Sequence, residues 1–426
     1  MPPNQLASKE KNAAPDSAVL LTLSTIPFIM VIGNSMLIPV LPTAEEALNV
    51  NSFQVSLLIT LFSIPAAIVI PVAGILADRI GRKQIVFYSL LLYGFGGLLA
   101  GFSSIIQGGS YTLVLISRII QGIGAAGTAP IAMVLLGDLY QGQARSKSLG
   151  ILEASNAFGK VISPILGSLI ALITWYAMFF IFPLLCVPVA IALWKVIEEP
   201  SKREKPQPLR EYKHHIRQVF QRRGSWLVIT FLSGALIMFT MFGVLFYLSD
   251  FLEESFRIGG VIKGFILAIP LLALCLTAYF TGAHVKEKTH QMNKLIVIGL
   301  IITTIATAAI PWWRNAYWLI LCSFAIGIGS GLILPCLNTL ITSAVGMQER
   351  GIITSLYNSV RFFGVALGPP VFGALAPHPY LLFLGLAAIL FVMIFLTRKF
   401  IDRPQRLRGK DGRTRLLLRK KKLSPA

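Results

Sequence analysis

Four charged side chains lie well inside long apolar stretches of the sequence, where a charge is costly unless it has a function or a partner. They are Arg118, Glu153, Lys160 and Arg361. Glu153 is the carboxylate among them, and a carboxyl group in such a place can take up and release protons near neutral pH. We therefore expect Glu153 to bind protons. The alternative is a structural polar contact with Lys160 or Arg118.

The residues that follow Glu153 form a polar stripe. Asn156, Lys160, Pro164 and Gly167 come at steps of three or four, which places all five on one face of a helix. Glu153 and Lys160 are two turns apart, about 10 Å at 1.5 Å per residue. Because a straight helix then prevents a direct ion pair, Asn156 or a water molecule would have to bridge the two charges.

We expect these charged side chains to meet in a cavity that binds a small molecule. Lys160 and Arg361 would make the cavity positive, which favours anionic or zwitterionic ligand groups unless Glu153 neutralises them. The neutral side chains expected to line it are Asn34, Asn156, Phe242 and Tyr357. The alternative for the aromatic residues is that they pack against other helices or lipid.

A polar loop carries the most specific motif, GILADRIGRK, which runs from Gly74 to Lys83. Gly74 would let two helices approach closely, and Gly81 would permit a tight turn. Asp78 can accept hydrogen bonds from the free backbone N–H groups at a helix start. Arg82 and Lys83 would hold the turn on the cytoplasmic side.

This loop resembles the signature of the major facilitator superfamily of transporters. The resemblance implies that Asp78 caps the start of the eleventh membrane helix, across two halves of the protein. It also implies that Arg82 pairs with Asp138 at the end of the fourth helix and that the contact locks an outward-open state. The alternative is a purely structural clamp on the loop.

Two further motifs are similar to those of the drug:proton antiporters within that superfamily. LISRIIQGIGAAG, Leu115 to Gly127, contains Arg118, for which the resemblance implies a role in proton coupling. The alternative is an arginine whose side chain reaches the membrane surface. Antiporters of this kind often hold an acid in the first helix, whereas the comparable position here is Asn34. We therefore expect Glu153 to replace that acid.

The motif GILEASNAFGKVISPILGS resembles the antiporter signature of the fifth helix. Gly150, Gly159, Pro164 and Gly167 match it, and serine replaces two of its glycines. The resemblance implies an exporter, with small residues that pack closely against a helix of the other half. The alternative is ordinary packing of small residues.

Composition identifies the elements that must position these residues. The 426 residues are 55% hydrophobic and 13% charged, about half the charged fraction of a soluble domain, so the apolar surface must meet lipid. Twelve apolar runs are long enough to span a bilayer, for which about 20 residues suffice. They are 18–41, 53–77, 84–105, 111–137, 147–171, 174–197, 225–249, 261–283, 294–312, 317–342, 352–375 and 379–399.

An internal repeat divides these spans into two sets of six. Six Gly, Pro and Arg positions recur after a shift of 205 residues: Gly122, Gly124, Pro130, Arg145, Gly159 and Pro164 match Gly327, Gly329, Pro335, Arg350, Gly364 and Pro369. Parallel repeats describe the two halves of major facilitator transporters. The sequence therefore predicts an all-α integral membrane protein with twelve transmembrane helices in two pseudo-symmetric halves.

Basic residues outside the spans indicate orientation and domain limits. Nearly all lie on one side, which predicts that both termini are cytoplasmic and that the chain is a multi-pass protein of the cell membrane. The expected divisions are an N-terminal tail (1–17), a six-helix bundle (18–197), an amphipathic interfacial linker (198–224), a second bundle (225–399) and a basic, disordered tail (400–426).

The same composition limits the partners. The net charge of +20 lies in loops and tails, so we expect no nucleic-acid binding, and we expect the linker and tail to contact anionic lipid headgroups. We also expect a monomer with a small-molecule substrate, no metal and no cofactor beyond a proton gradient as energy source. Motifs for a catalytic nucleophile or a phosphate loop are absent from the sequence, which argues against an enzyme.

Together these features predict a secondary active transporter, a proton-coupled exporter of small amphipathic molecules or drugs that works by alternating access. The alternatives are an exporter of one dedicated metabolite, such as a metal-chelating or lipid-like compound, and an uncoupled facilitator. A membrane receptor or scaffold is the alternative that does not transport.

Overall fold

The computed structural model describes residues 16–106, 110–140, 142–198, 209–284, 289–313, 315–344, 347–400, 404–408 and 414–418. In the helical stretches 209–223 and 347–351 it describes the backbone but not the side chains. The described chain contains α1 (Ser17–Ser35), α2 (Leu41–Leu48), α3 (Ser52–Ile80), α4 (Arg82–Ile105), α5 (Tyr111–Ala126), α6 (Ala129–Leu139), α7 (Gly142–Ile170), α8 (Ala177–Val196), α9 (Leu209–Phe256), α10 (Gly260–His284), α11 (Thr289–Ala309), α12 (Ala316–Ala344), α13 (Met347–Leu375) and α14 (Pro379–Phe400).

These helices form the twelve predicted spans, two of which are broken. The first consists of α1, a 3-10 turn at Ile38–Val40 and α2, because Pro39 and Pro42 lack the N–H that a continuous helix needs. The fourth consists of α5 and α6, which meet at Gly127 and Thr128. The predicted all-α membrane fold of twelve helices in two halves is confirmed.

Ten spans among the described residues are long and apolar enough to cross a membrane by composition alone. The other two are α7 and α13, the fifth and eleventh spans, which carry Glu153, Lys160 and Arg361. Both helices lie at the boundary between the halves, where α7 packs on α10 and α13 packs on α3. Their polarity follows from this position, since they face protein and a cavity more than lipid.

Because the chain alternates in direction, each helix has one end on each side of the bundle. We call the side that holds the α3–α4 turn at Gly81 the motif side, and the opposite side the far side. The boundary between residues of spans one to six and residues of spans seven to twelve is called the seam.

Two parts of the chain differ from the predicted organisation. The linker was predicted as a separate interfacial helix that ends near 224, but α9 continues from Leu209 to Phe256. No proline interrupts this stretch, so the backbone hydrogen bonds can run on. The tail was predicted to be disordered, yet Pro404–Arg408 (β1) pairs antiparallel with Thr414–Leu418 (β2). The sequence between the strands contains two glycines, as hairpin loops commonly do.

Candidate functional site

Hydrogen bonds close the seam from its far side to its middle. Ser249 Oγ on α9 donates to the carbonyl oxygen of Ile38 in the first span, at 3.0 Å. Thr60 Oγ1 on α3 donates to the carbonyl oxygen of Ala366 on α13, at 2.7 Å. Each bond joins one half to the other, so the halves are in direct contact on the far side.

The α7–α10 pair shows the same closure. A Cβ built at Gly264 of α10 would lie 2.6 Å from the carbonyl oxygen of Pro164 and 2.7 Å from Ser168 Oγ, so only glycine fits there. Deeper in the membrane, Cys275 Sγ donates to the carbonyl oxygen of Ala157 at 3.2 Å. The two helices are therefore in close contact over the far half of their length.

Towards the motif side the structure describes no comparable close approach of these two helices. No described atom lies within 4 Å of a Cβ built at Gly150 on α7 or at Gly282 on α10. At Gly74 on α3, the nearest described atom would be Ser355 Oγ of α13 at 3.5 Å, which is an ordinary contact. A side chain would therefore fit at Gly74 in this conformation, which is closed on the far side, so the predicted need for glycine at a close helix approach is not met here.

The glycines of the fifth-span motif pack within their own half. A Cβ at Gly167 would lie 2.2 Å from the carbonyl oxygen of Met36, and one at Gly159 would lie 3.2 Å from Phe28 Cδ2. Both neighbours belong to the first span. The prediction of close packing against the other half is wrong for these glycines, because the face of α7 that meets α10 carries Pro164 instead.

Glu153 and Lys160 lie on the face of α7 that meets the other half. Glu153 is exposed and Lys160 is partly buried. Lys160 lies within electrostatic range of Glu153 on its own helix and of Arg361 across the seam. Among the described residues, neither Glu153 nor Lys160 forms an ion pair or hydrogen bond. The direct pairing that the helix spacing excluded is indeed not formed, and Asn156, partly buried one turn from Glu153, makes no described bridge.

Arg361 enters this cluster from α13 with few partners of its own. Its guanidinium lies 5.5 Å from the ring of Tyr357, and Nη2 is 4.0 Å from Met238 Sδ. Arg361 Nε and Tyr357 Oη are buried without a hydrogen-bond partner. Tyr357 is 1% exposed and Phe242 is 9% exposed, so both predicted cavity residues are mainly packed inside the second half in this conformation.

Arg118 forms a separate network inside the first half. Its side chain is fully buried, with Nε donating to the carbonyl oxygen of Leu58 at 2.9 Å and Nη1 to Gln121 Oε1 at 2.5 Å. Nη1 also reaches the Gly33 carbonyl oxygen at 3.3 Å, and the ring of Phe62 lies 4.5 Å from the guanidinium carbon. The alternative of a side chain that reaches the membrane surface is therefore wrong, as is the suggested contact with Glu153.

Asn34 belongs to this network. Its Oδ1 accepts from Arg118 Nη2 at 3.4 Å, and its Nδ2 donates to Ser63 Oγ at 3.0 Å. The side chain is 6% exposed, so the structure places it against Arg118 and not on the open part of the seam. In place of a titratable acid, the first span offers a neutral acceptor to the buried cation.

The loop motif forms the predicted ion pair, but it does so with the far side closed, so the pair is not confined to an outward-open state. Arg82 pairs with Asp138 at the end of the fourth span and with Asp78 at 3.2 Å. Gly81 has φ of 134°, which favours glycine and confirms its predicted role in the turn. Lys83 Nζ donates to the carbonyl oxygen at the end of α8, that of Trp194, at 2.8 Å. The cap of Asp78 on the eleventh span stays a prediction, because that span starts next to positions 345 and 346, which lie outside the described residues.

Sequence reasoning missed a charged cluster at the far-side end of the seam. Lys263 of α10 is buried and pairs with Glu253 of α9. Two further carboxylates repel that of Asp250 on α9. They belong to Glu254 on the same helix and to Glu45 in the opposite half. The spacing of the acids on α9 and a lysine inside an otherwise apolar stretch were the signals available in the sequence. In the part of the chain that the structure describes, no group of three or more acidic, histidine or cysteine side chains could hold a metal.

Comparison with known proteins supports this architecture. A model of the Major Facilitator Superfamily matches residues 23–369, with a second match at 293–425. The "Bacillibactin exporter" of Bacillus subtilis (strain 168) is 42% identical over 387 residues, which are 90% of this chain and 96% of that protein. The "Multidrug resistance protein 1" of the same strain is 25% identical over 371 residues, 85% of this chain and 91% of that protein.

A solved structure shares the fold. The D-xylose-proton symporter superposes with a TM-score of 0.70 at 14% identity and covers 91% of this chain and 98% of that chain. The family and the relatives are transporters, so the chain is a multi-pass membrane transporter of small molecules, and the prediction that it is not an enzyme is confirmed. With its twelve spans, its six-helix halves and its loop motif, the chain belongs to the Major Facilitator Superfamily.

Proposed function

We propose that this chain exports small amphipathic molecules from the cell in exchange for protons, by alternating access. The observation that carries the proposal is the position of Glu153, an exposed carboxylate on the seam-facing side of α7. It has no ion pair among the described residues, and its negative charge attracts the positive charge of Lys160. A carboxylate between two halves that rock against each other can meet each side of the membrane in turn.

The basic residues support one orientation. With the motif side in the cytoplasm, the positively charged loops, linker and tail meet the side where membrane proteins concentrate lysine and arginine. Both termini are then cytoplasmic, and the linker and tail can contact anionic lipid headgroups. A seam that is closed on the far side fits an inward-facing state better than an outward-open one. A single chain is the expected transport unit.

The sign of the coupling follows from competition for Glu153. Protons reach this carboxylate in the outward-facing state and leave it in the inward-facing state, where their concentration is lower. A substrate with a cationic group competes with the proton for the same carboxylate, so one is bound when the other has left. This mutual exclusion is what exchange requires.

The loop motif supplies a switching device for this cycle. The Arg82–Asp138 pair joins the α3–α4 turn to the end of the fourth span, and Lys83 joins the same turn to the end of the sixth. The turn therefore moves with the motif-side ends of three helices. Clamping these ends against the second half stabilises the outward-open state, and releasing them permits the inward-facing one.

The test is proton-driven transport by Glu153→Gln. In proteoliposomes with an imposed pH gradient, we expect the variant to lose gradient-driven substrate uptake. Glu198→Gln serves as the matched control, because Glu198 is an exposed carboxylate at the motif-side end of the first half. Unimpaired gradient-driven uptake by Glu153→Gln would sink the proposal.

A second candidate is export of one dedicated metabolite, favoured by the 42% identity to the "Bacillibactin exporter". Uptake of bacillibactin and of a panel of amphipathic drugs in the same vesicles separates the two candidates. Uptake of bacillibactin alone indicates a dedicated exporter. Flux that ignores the pH gradient indicates a facilitator, and binding without flux indicates a receptor or scaffold.

A further inference from the structure

The seam holds three charges that form no ion pair in the part of the chain that the structure describes. Glu153 and Lys160 form no ion pair among the described residues, and Arg361 has a sulfur and a ring as its described contacts. Lys160 and Arg361 carry like charges and come from opposite halves, so each disfavours the other. An unpaired charge within a membrane span is costly and marks a place where a ligand or ion is expected.

Two polar atoms on α13, one of them in Arg361 itself, also lack a hydrogen-bond partner among the described residues. Tyr357 is 1% exposed and its hydroxyl has no hydrogen-bond partner. Arg361 Nε, on the side chain next to it, is buried without one as well. Leaving such groups unpaired lowers stability, which a protein tolerates where a bound molecule supplies the missing acceptor. The guanidinium fork of Arg361, with its buried and unpaired Nε, is a donor suited to an oxygen anion.

The charge of the ligand can be deduced from the exchange of substrate for protons. An anion without a cationic group would bind Lys160 and Arg361. Its negative charge would also strengthen proton binding by Glu153, so the anion and the proton would cross the membrane together. A cation without an anionic group would compete with the proton but would leave Lys160 and Arg361 unpaired, close to an added positive charge. A molecule that carries both groups satisfies all three side chains and still excludes the proton.

The geometry points to an amphoteric substrate, with an anionic oxygen group held by Lys160 and Arg361 and a protonated amine held by Glu153. This assignment rests on the proposed exchange of substrate for protons. Because Glu153 and Lys160 are two helical turns apart, the two groups of the ligand are separated by roughly 10 Å. The substrate also joins the halves, because Lys160 and Arg361 belong to different ones.

A trio of matched probes tests the assignment without transport. 4-(4-Aminobutyl)benzoate carries both groups, its methyl ester carries only the amine, and its N-acetyl derivative carries only the carboxylate. Binding to the purified full-length protein in nanodiscs is measured by calorimetry, and proton release is followed with a pH dye. We expect the amphoteric probe to bind at least about tenfold more tightly than either derivative, as for loss of one charged hydrogen bond, and to release protons on binding.

Substitutions assign each preference to its side chain. Lys160→Gln and Arg361→Gln should each reduce the preference for the acid over its ester, whereas Glu153→Gln should abolish the preference for the amine and the proton release. Lys147→Gln, an exposed cation on the same helix, should change neither. Because each result is a ratio of affinities within one variant, a general loss of folded protein does not imitate it.

The outcomes separate the assignment from the proposed exchange. Three outcomes overturn the assignment. The amphoteric probe and a derivative bind with equal affinity, or no probe binds at millimolar concentration. The third is an unchanged preference for the acid in both Lys160→Gln and Arg361→Gln. Probe preferences as expected, together with uptake that ignores the pH gradient, instead refute the exchange and leave the binding site in place.

Discussion

Arg118 donates to the side-chain oxygen of Asn34 at 3.4 Å, so a buried cation meets a neutral amide at the position where drug antiporters often hold an acid. The other described acceptors of Arg118 are two carbonyl oxygens and Gln121. These bonds tie the first, second and fourth spans together just before the break at Ile38. The geometry fits a group that fixes the shape of the first span better than one that transfers protons.

Replacing this arginine by lysine keeps the charge but removes the fork that serves several acceptors. We expect Arg118→Lys to lower the free energy of unfolding by about 2–5 kcal/mol, because buried acceptors lose their donors. Thermal unfolding of the purified protein measures the change, with Arg398→Lys as control because Arg398 is exposed at the end of α14. A melting temperature equal to that of the control would show that charge alone matters at this position.

Arg118 and its neighbours show which parts of the site the sequence predicts. Arg118 stands out because charges are rare within spans, and the Arg82–Asp138 pair was implied by the resemblance of the loop motif to the family signature. The partners of Arg118 could not be predicted, since two are backbone carbonyl oxygens whose positions depend on how three spans cross. The packing of Gly159 and Gly167 was assigned to the wrong half for a related reason. A helical stripe shows which residues share a face but not which neighbour that face meets.

The ion pair between Arg82 and Asp138 is expected to act in the conformational switch. Both side chains are partly exposed, so the pair contributes about 1 kcal/mol or less, and a charge reversal should affect transport more than stability. We expect Arg82→Asp and Asp138→Arg each to slow substrate uptake several-fold and the double variant to recover much of it. Uptake in proteoliposomes measures this, and a double variant slower than both single ones contradicts a direct pair.

Gly264 is expected to control closure of the far side, because a Cβ there would meet a backbone oxygen of Pro164 at 2.6 Å. Overpacking of this kind costs about 1–3 kcal/mol, and opening the α7–α10 contact relieves it. We expect Gly264→Ala to shift the protein towards the far-side-open state. The shift is measured as a longer distance between spin labels at Ala47 and Ser255, in a background without the native cysteines.

Gly282 on the same helix provides the control, because no described atom lies within 4 Å of a Cβ built there. Gly282→Ala should leave the label distances unchanged and slightly favour the helix. If both alanine variants give the same label distances as the protein that keeps both glycines, the close approach at Gly264 does not limit closure.

The acids at the far-side end of the seam are expected to oppose closure. Asp250 of α9 faces Glu253 and Glu254 of its own helix, Glu45 of α2, and Lys263 of α10, which is engaged by Glu253. Closing the far side brings the carboxylate from α2 close to those from α9, and like charges repel. Asp250→Asn should therefore favour the closed state by roughly threefold to tenfold. The measurement is the larger fraction of molecules with the short distance between the labels at Ala47 and Ser255.

Lowering the pH should likewise favour the closed state of the unsubstituted protein. Protonation of these acids removes the repulsion that closure creates, so closure and proton binding favour each other. Acidification should therefore increase the closed population, and Asp250→Asn should reduce that response. Glu198→Gln removes an exposed carboxylate on the motif side and should leave the response intact. A closed population that ignores pH in both the unsubstituted protein and Asp250→Asn would show that the cluster stays fixed by Lys263 whether the far side is open or closed.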